Sequence, residues 1–306
     1  MSAATRGQAT TQAAALSVAS NGALILVKLA VGIYTGAVSI IAEALHSGLD
    51  LAAALMALFA VRRASRPADR THPYGHGKFE SLSGLLEGLL IFGAAALIVY
   101  IAAHRMLHGH RVQHETLGVA VMAVSALANM LVSGYLFRVA RRHDSLALAA
   151  DAWHLRTDVY SSLAVLVGMA AIALGAPAVL DPVAAVIVAV VILHAAYKLC
   201  AEACAQLLDR ALPPDEEQAI IRLIQEHAGD FVSFHNVRTR KAGTNRHIDL
   251  HVVVAPEVSV DDAHDIGTHL EQEITALFPD SSVMTHIEPP DRKEASADRR
   301  GNADGE

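Results

Sequence analysis

The chain has 306 residues, of which 53% are hydrophobic and 18% are charged, and its mean hydropathy is +0.36. This composition is too apolar for an ordinary soluble domain of that length, and it indicates a membrane protein. The net charge of −7 favours attraction of cations over a nucleic-acid partner. The two cysteines cannot build a disulfide framework.

Six apolar stretches are long enough to cross about 30 Å of hydrocarbon, which takes roughly 20 helical residues. They begin near Ala13, Ala37, Ser81, Thr116, Leu146 and Leu180. Lys and Arg collect after the second and fourth stretches, which places those loops in the cytosol, although two arginines after the third are a weaker contrary signal. We therefore expect a multi-pass protein of the cytoplasmic membrane with both termini cytosolic, in which residues 1–12 precede a six-helix transmembrane domain over residues 13–211.

The last third of the chain has the pattern of a small α+β domain. Isoleucines at helical spacing after LPPDEE predict a helix closed by Gly229, and alternation on both sides of Ala242-Gly243-Thr244 predicts a hairpin. A second amphipathic helix and a last strand follow in DDAHDIGTHLEQEITALF and SSVMTHIEP. The order α, β, β, α, β over residues 212–290 suits an open sheet with helices on one face. We expect the polar residues 291–306 to be a disordered tail.

Ionisable groups interrupt two of the apolar stretches. The segments are EALHSGLD, with Glu43, His46 and Asp50, and DAWHLRTD, with Asp151, His154 and Asp158. Charged groups at mid-bilayer cost about 2.5 to 3.5 kcal/mol each on insertion scales, so they persist where they face a partner or a water-filled path. One such pair is explained by a structural hydrogen bond; two pairs with matching spacing point to a shared site.

The spacing of these groups predicts a metal site. In each segment the His lies four residues before the Asp, so both side chains share one helix face. Two facing helices would bring together His46, Asp50, His154 and Asp158, a set of N and O ligands that suits tetrahedral Zn²⁺. Glu43 and Asp151 precede each His by three residues and are interpreted as accessory acids or proton carriers.

The paired His-x-x-x-Asp motifs, the loop HPYGHGKFESL and the cytosolic element order resemble the cation diffusion facilitator family, and in particular its zinc-transporting branch. The resemblance covers nearly the whole chain and implies six transmembrane helices followed by a ferredoxin-like domain. It implies a homodimeric antiporter in the lipid bilayer that exports a divalent cation from the cytosol in exchange for protons. Zn²⁺ would be the transported substrate and also a bound structural or regulatory ion, with no organic cofactor.

A loop site and a hinge are also implied by the resemblance. Asp69, His72 and His76 have spacings that can converge on a cation if the segment turns, and they match a peripheral zinc site of the family. A loop of this kind standing alone is more often merely solvated. Lys78 and Asp209 match a hinge ion pair between membrane and cytosol. Lys78 could instead contact phospholipid headgroups or simply follow the positive-inside bias.

The histidines of the cytosolic domain are the third implied group. Strand parity places His247, Asp249 and His251 on the polar face of the sheet, where histidines are usually just solvated. The family binds zinc at the matching positions, often between the two subunits: His235, His251, His264, His286 and Glu288. Glu288 stands where the family often has a shorter acid.

Two other functions fit part of the sequence. The same fold could export Cd²⁺, Fe²⁺, Mn²⁺ or Co²⁺, or the spans could merely anchor a metal sensor, although an anchor does not need matched ligands at mid-membrane. We do not expect an enzyme, because the sequence contains no His-Glu-x-x-His, no serine nucleophile elbow and no Gly-rich phosphate loop.

Metal choice is predicted to depend on His46. Two imidazoles and two carboxylates favour a compact tetrahedron, whereas His46→Asp adds a carboxylate that can bind through one or two oxygens and so accommodate a larger ion. In the family, Asp at the matching position goes with acceptance of both Zn²⁺ and Cd²⁺. We expect the native protein to move Zn²⁺ much faster than Cd²⁺ and the variant to gain Cd²⁺ flux, measured by stopped-flow uptake of both metals. Equal native rates would contradict this.

Overall fold

The computed structural model of the protein describes residues 3–35, 38–108, 116–173 and 180–290, and within the helices some side chains are not described. The tail predicted for residues 291–306 lies outside these ranges. The chain divides into two compact units, Met1–Leu207 and Leu208–Glu306.

The first unit consists of long helices. In chain order they are α1 (Ala3–Thr35), α2 (Val38–Ala64), α3 (Lys78–His108), α4 (Thr116–His143), α5 (Leu146–Ala173) and α6 (Leu180–Leu207). The prediction of helices is therefore confirmed, with α1 starting at Ala3, well before the expected Ala13. Over the described residues, four helical segments are long and apolar enough to cross a membrane: Arg6–Val31, Lys78–His104, Ala123–His143 and Ala185–Leu207.

Small side chains let the helices of this unit approach closely. The most extensive contacts join α3 with α6, α1 with α2, and α4 with α5. At Gly88 of α3, an added Cβ would lie 2.6 Å from Cys200 Sγ of α6, so only glycine permits this approach. Close backbone packing is the usual basis of helix association in membranes, where no hydrophobic force drives helices together.

The second unit is a three-stranded sheet with two helices. Its elements are α7 (Pro214–Glu226), β1 (Ser233–Ala242), β2 (Asn245–Val253), α8 (Val260–Leu277) and β3 (Ser281–Glu288). The sheet order is β1-β2-β3, with β1 antiparallel and β3 parallel to β2. The predicted α+β class and its element order are confirmed. At the start of α8, Ser259 Oγ accepts a hydrogen bond from the Asp262 N–H, a typical N-terminal cap.

Alternation along β2 buries one face of the sheet. Ile248, Leu250 and Val252 are each 0% exposed and pack into the core of this unit, as the parity of the sequence predicts. His247 corrects the expectation of a solvated polar face, because it is only 9% exposed.

A bidentate ion pair links β2 to the start of α7. Arg246 Nε and Nη2 donate to the Glu216 carboxylate at 2.8 and 2.7 Å, and the guanidinium also lies over the Phe278 ring, 5.2 Å from its centroid. The hydrogen bond from Arg246 lowers the pKa of Glu216.

Replacing Arg246 with Lys should loosen this unit, because an ammonium cannot reproduce the two parallel hydrogen bonds. We expect the local free energy of unfolding to fall by about 1 kcal/mol, measured by hydrogen exchange of β2 amides in the full-length protein. The pKa of Glu216 is lower in the folded protein than its unfolded value of 4.5. The ion pair therefore contributes fully to the free energy of unfolding above pH 4.5, and this contribution is lost as the pH falls through the folded pKa. If the difference in free energy of unfolding between the variant and the native protein stayed constant down to a pH of about 3, the stabilising role of this ion pair would be contradicted.

Candidate metal sites

Residues of the paired motifs on α2 and α5 meet inside the first unit, Met1–Leu207, which we call the membrane unit. Asp50, His154 and Asp158 each offer a ligand atom, and these three atoms lie within 4.8 Å of one another. His154 Nε2 is 3.3 Å from Asp50 Oδ1, with side-chain exposures of 13% and 7%. The two helices pack against each other, so the four-residue spacing on α5 aims His154 and Asp158 at the same point as Asp50. We call these three residues the membrane cluster.

The fourth ligand predicted for this site is His46 on α2. His46 and Glu43 fall within the helix, but their side chains lie outside the described residues. On the same helix, Ser47 Oγ accepts a hydrogen bond from Lys28 Nζ of α1 at 2.7 Å, and both residues are buried.

Two further buried acids accompany the membrane cluster. Asp151 is 0% exposed, and neither of its oxygens has a hydrogen-bond partner among the described residues. The Ser17 hydroxyl lies near its carboxyl, but not in the geometry of a hydrogen bond. Glu87 of α3 is also 0% exposed. Sequence reasoning missed Glu87, although a glutamate within GLLEGLLIFG is the same signal that identified Asp50 and Asp158.

Glu80, also missed from the sequence, holds the start of α5. Its carboxyl accepts a hydrogen bond from the Ser145 hydroxyl and lies beside the backbone N–H groups of Leu146 and Ala147. These N–H groups belong to the first turn of α5 and have no partner within the helix. A side chain of α3 therefore caps the helix that carries His154.

The loop between α2 and α3 brings its three predicted residues together. The ligand atoms of Asp69, His72 and His76 lie within 4.8 Å of one another. Asp69 Oδ2 is 3.2 Å from His76 Nε2, and the His72 and His76 rings are 4.5 Å apart. The turn needs Gly75, whose φ of 85° is left-handed.

The chemistry of these loop side chains suits a cation. His76 is 2% exposed, and neither of its ring nitrogens forms a hydrogen bond with a described residue. Hydrogen bonds from the Thr71 side chain and the His72 backbone hold the pKa of Asp69 well below its usual range, so Asp69 is ionised at neutral pH. A buried imidazole that forms no hydrogen bond with a described residue, beside a fixed carboxylate, is a geometry that a metal ion would satisfy.

The sheet of the second unit aligns three histidines. In the strand register, His235 lies opposite His251, and His251 lies opposite His286. Glu288 contacts all three, with its oxygens 2.8 Å from His235 Nε2, 3.5 Å from His251 Nδ1 and 3.8 Å from His286 Nε2. The register of β1 shifts after His235, where Asn236 has a φ of 51°; such bulges re-aim side chains. We call these four residues the sheet cluster.

The remaining predicted site residues have different surroundings. His264 lies on α8 with its Nε2 3.4 Å from Thr268 Oγ1, and it is not in the three-residue ligand group of His235, His251 and Glu288 that the described chain forms. Lys78 Nζ donates to the Leu207 carbonyl at 3.3 Å, and Asp209 Oδ1 accepts from Arg240 at 3.1 Å. Lys78 and Asp209 fall in different units, so their hinge ion pair stays a prediction.

The fold and the membrane cluster define a multi-pass membrane protein with buried ionisable groups and a separate α+β domain. Residues 14–208 match the sequence-family model of the cation efflux transmembrane domain. Residues 212–290 match the sequence-family model of the cytoplasmic domain of cation efflux proteins. The chain therefore belongs to the cation efflux family, the cation diffusion facilitators, and it is a cation efflux transporter. This is a family of transporters and not of enzymes.

Similar proteins cover nearly the full length of the chain. An uncharacterised transporter of Synechocystis is 37% identical, covering 90% of this chain and 89% of that protein. The cation-efflux pump FieF of Serratia proteamaculans is 34% identical, covering 87% and 88%, and that of Klebsiella pneumoniae is 33% identical, covering 92% and 94%. A solved structure of CzrB, described as a candidate zinc transporter, is 32% identical over 26% of this chain and 99% of that chain, with a TM-score of 0.26.

The helix cap made by Glu80 should support transport from outside the membrane cluster. Glu80→Ala leaves the Ser145 hydroxyl without its acceptor and removes the carboxylate beside the first N–H groups of α5, so we expect a loss of about 1 to 3 kcal/mol in stability and slower cation transport. Ser145→Ala removes the hydroxyl that donates to Glu80 and accepts from the Leu148 N–H at 3.4 Å, but it keeps the Glu80 carboxylate beside the first turn of α5 and should cost less. Thermal unfolding in detergent and flux in proteoliposomes measure the two effects. A larger loss for Ser145→Ala than for Glu80→Ala would contradict the capping role.

Proposed function

We propose that the protein is a Zn²⁺/H⁺ antiporter that exports zinc from the cytosol. The observation that supports this most is the membrane cluster, in which one imidazole and two carboxylates converge from α2 and α5 within 4.8 Å. Together with His46 these residues would give the two-nitrogen, two-oxygen set that Zn²⁺ accepts in tetrahedral geometry. Another divalent metal on the same ligands is the second candidate, since softness alone does not fix the choice.

Coupling to protons follows from the ligand types. A metal ion binds neutral imidazole and ionised carboxylate, so loading the site releases protons and protonation releases the metal. Histidine titrates near neutral pH when unperturbed, which suits a site that exchanges the two ions under cellular conditions. A single site that opens alternately to each side of the membrane would then exchange zinc for protons.

The remaining clusters fit accessory roles in the same cycle. The loop residues Asp69, His72 and His76 would hold a weak, exchangeable ion. The sheet cluster, with His264, would bind zinc in the cytosolic domain and stabilise a homodimer, an assembly that the match to the family's cytoplasmic domain supports. We place the protein in the cytoplasmic membrane with both termini in the cytosol, as the distribution of basic residues indicates.

Directional flux tests the transport site. Asp50→Ala and His154→Ala each remove a ligand, and we expect zinc uptake and zinc-driven proton movement in proteoliposomes to fall to the level of liposomes without protein. Asp144→Asn is the matched control, because Asp144 is exposed and Asn also tolerates its φ of 56°. Native rates of exchange in both ligand variants would overturn the proposal.

The same assay separates a transporter from a membrane-tethered sensor. A sensor would bind zinc in its soluble unit and show no vectorial flux in the native protein. We expect His251→Ala to lower the number of zinc ions bound by the full-length protein and to weaken its dimer, because His251 is central in the sheet cluster. Equilibrium dialysis and analytical ultracentrifugation measure these quantities; unchanged zinc binding and dimerisation would remove the sheet cluster from the proposal.

A further inference from the structure

Glu87 is an ionisable group that the proposed mechanism does not use. It lies on α3, within the apolar segment Lys78–His104, and its side chain is 0% exposed. Oε1 accepts one hydrogen bond from Ser83 at 3.3 Å, and Oε2 has no partner among the described residues. One distant hydroxyl is poor compensation for an ionised carboxylate, whose burial in apolar surroundings is strongly unfavourable.

Among the described residues, the titratable groups that act on Glu87 or lie beside it do not include a base. Its helix packs against α2, α5 and α6. From α5, the charge of Asp151 acts on Glu87; from α6, Cys200 lies against the neighbouring Gly88; from α2, Asp50 acts on Asp151. In the described part of the chain these groups are acids or a thiol, so none of them neutralises an ionised Glu87.

Asp151 connects Glu87 to the membrane cluster. It is fully buried like Glu87, it lies one helical turn before His154 on α5, and it interacts electrostatically with both His154 and Asp50. Two buried carboxyl groups that act on each other cannot readily ionise together. A divalent cation in the cluster would change this balance, because its charge favours the ionised form of every nearby acid.

We propose that Glu87 is a proton-binding residue of the transport cycle, protonated before the cation enters the membrane cluster and ionised after it. The inference rests on the proposed antiport. When the cation binds, the O–H bond of the Glu87 carboxyl breaks and its proton passes to water on the side to which the site is open. The charge of Glu87 changes from zero to −1 and offsets part of the charge of the cation. Glu87 acts without being a metal ligand.

Counting protons tests the proposal directly. Calorimetric titration of the detergent-solubilised full-length protein with Zn²⁺, in buffers of different ionisation enthalpy, gives the number of protons released per ion. We expect Glu87→Gln to bind zinc and to release about one proton fewer than the native protein. Glu87→Asp, which keeps an ionisable group, should retain the native number. Glu202→Gln is the matched control, since Glu202 is exposed on α6.

The outcomes separate this inference from the antiport itself. Equal proton release from Glu87→Gln and the native protein would overturn the role of Glu87 and leave the antiport standing. Zinc transport without proton release in the native protein would overturn both.

A second measurement does not depend on the folding of Glu87→Gln. Infrared difference spectra of the native protein should show a protonated-carboxyl band that disappears on zinc addition and shifts in Glu87→Asp. Absence of that band, or a band that Glu87→Asp leaves unchanged, would contradict the proposal.

Discussion

The cost of burying charge in an apolar interior governs the arrangement of the membrane unit. Each ionisable group there needs a hydrogen bond, an opposite charge or a bound proton. Lys28 donates to Ser47, and Glu80 accepts from the start of α5. Asp50 and His154 lie against each other. Asp151 and Glu87 keep oxygens without partners among the described residues. Buried acids whose oxygens lack partners are thus found on α3 and on α5, the helix that carries His154.

Helix packing determines where these groups can meet. The cluster requires α2 and α5 to approach each other, and the fully buried positions of both helices are largely alanines, among them Ala54, Ala57 and Ala152. Small residues bring backbones together without filling the space that a ligand set needs. The cap from Glu80 fixes the start of α5 against α3, so the helix that carries His154 is held at one end by packing and hydrogen bonds. Rigidity at that end keeps the ligand geometry defined.

Periodicity in the sequence predicts features that a single helix or strand determines, such as which of its faces is buried. It does not predict features that require two elements to meet. Alternation along β2 correctly predicts that Ile248 and Leu250 are buried, and the four-residue spacing places His154 and Asp158 on one face of α5. The register that aligns His235 with His251 depends on a bulge in β1, which no local pattern reveals. The burial of His247 and the cap that Glu80 provides for another helix likewise depend on neighbours distant in sequence.

The membrane cluster and the sheet cluster differ in the charge they must accommodate. The membrane cluster holds two carboxylates and one imidazole among its described members, and the His154 and Asp50 side chains are only 13% and 7% exposed, so little water is available to solvate their charges. In the sheet cluster one carboxylate faces three histidines, of which His235 and His286 are 53% and 63% exposed, and water can solvate the cluster without any ion. The burial of the first arrangement therefore suits the proposed exchange of a metal ion for protons. The second arrangement is open to solvent, which suits the accessory metal-binding role that we propose for it.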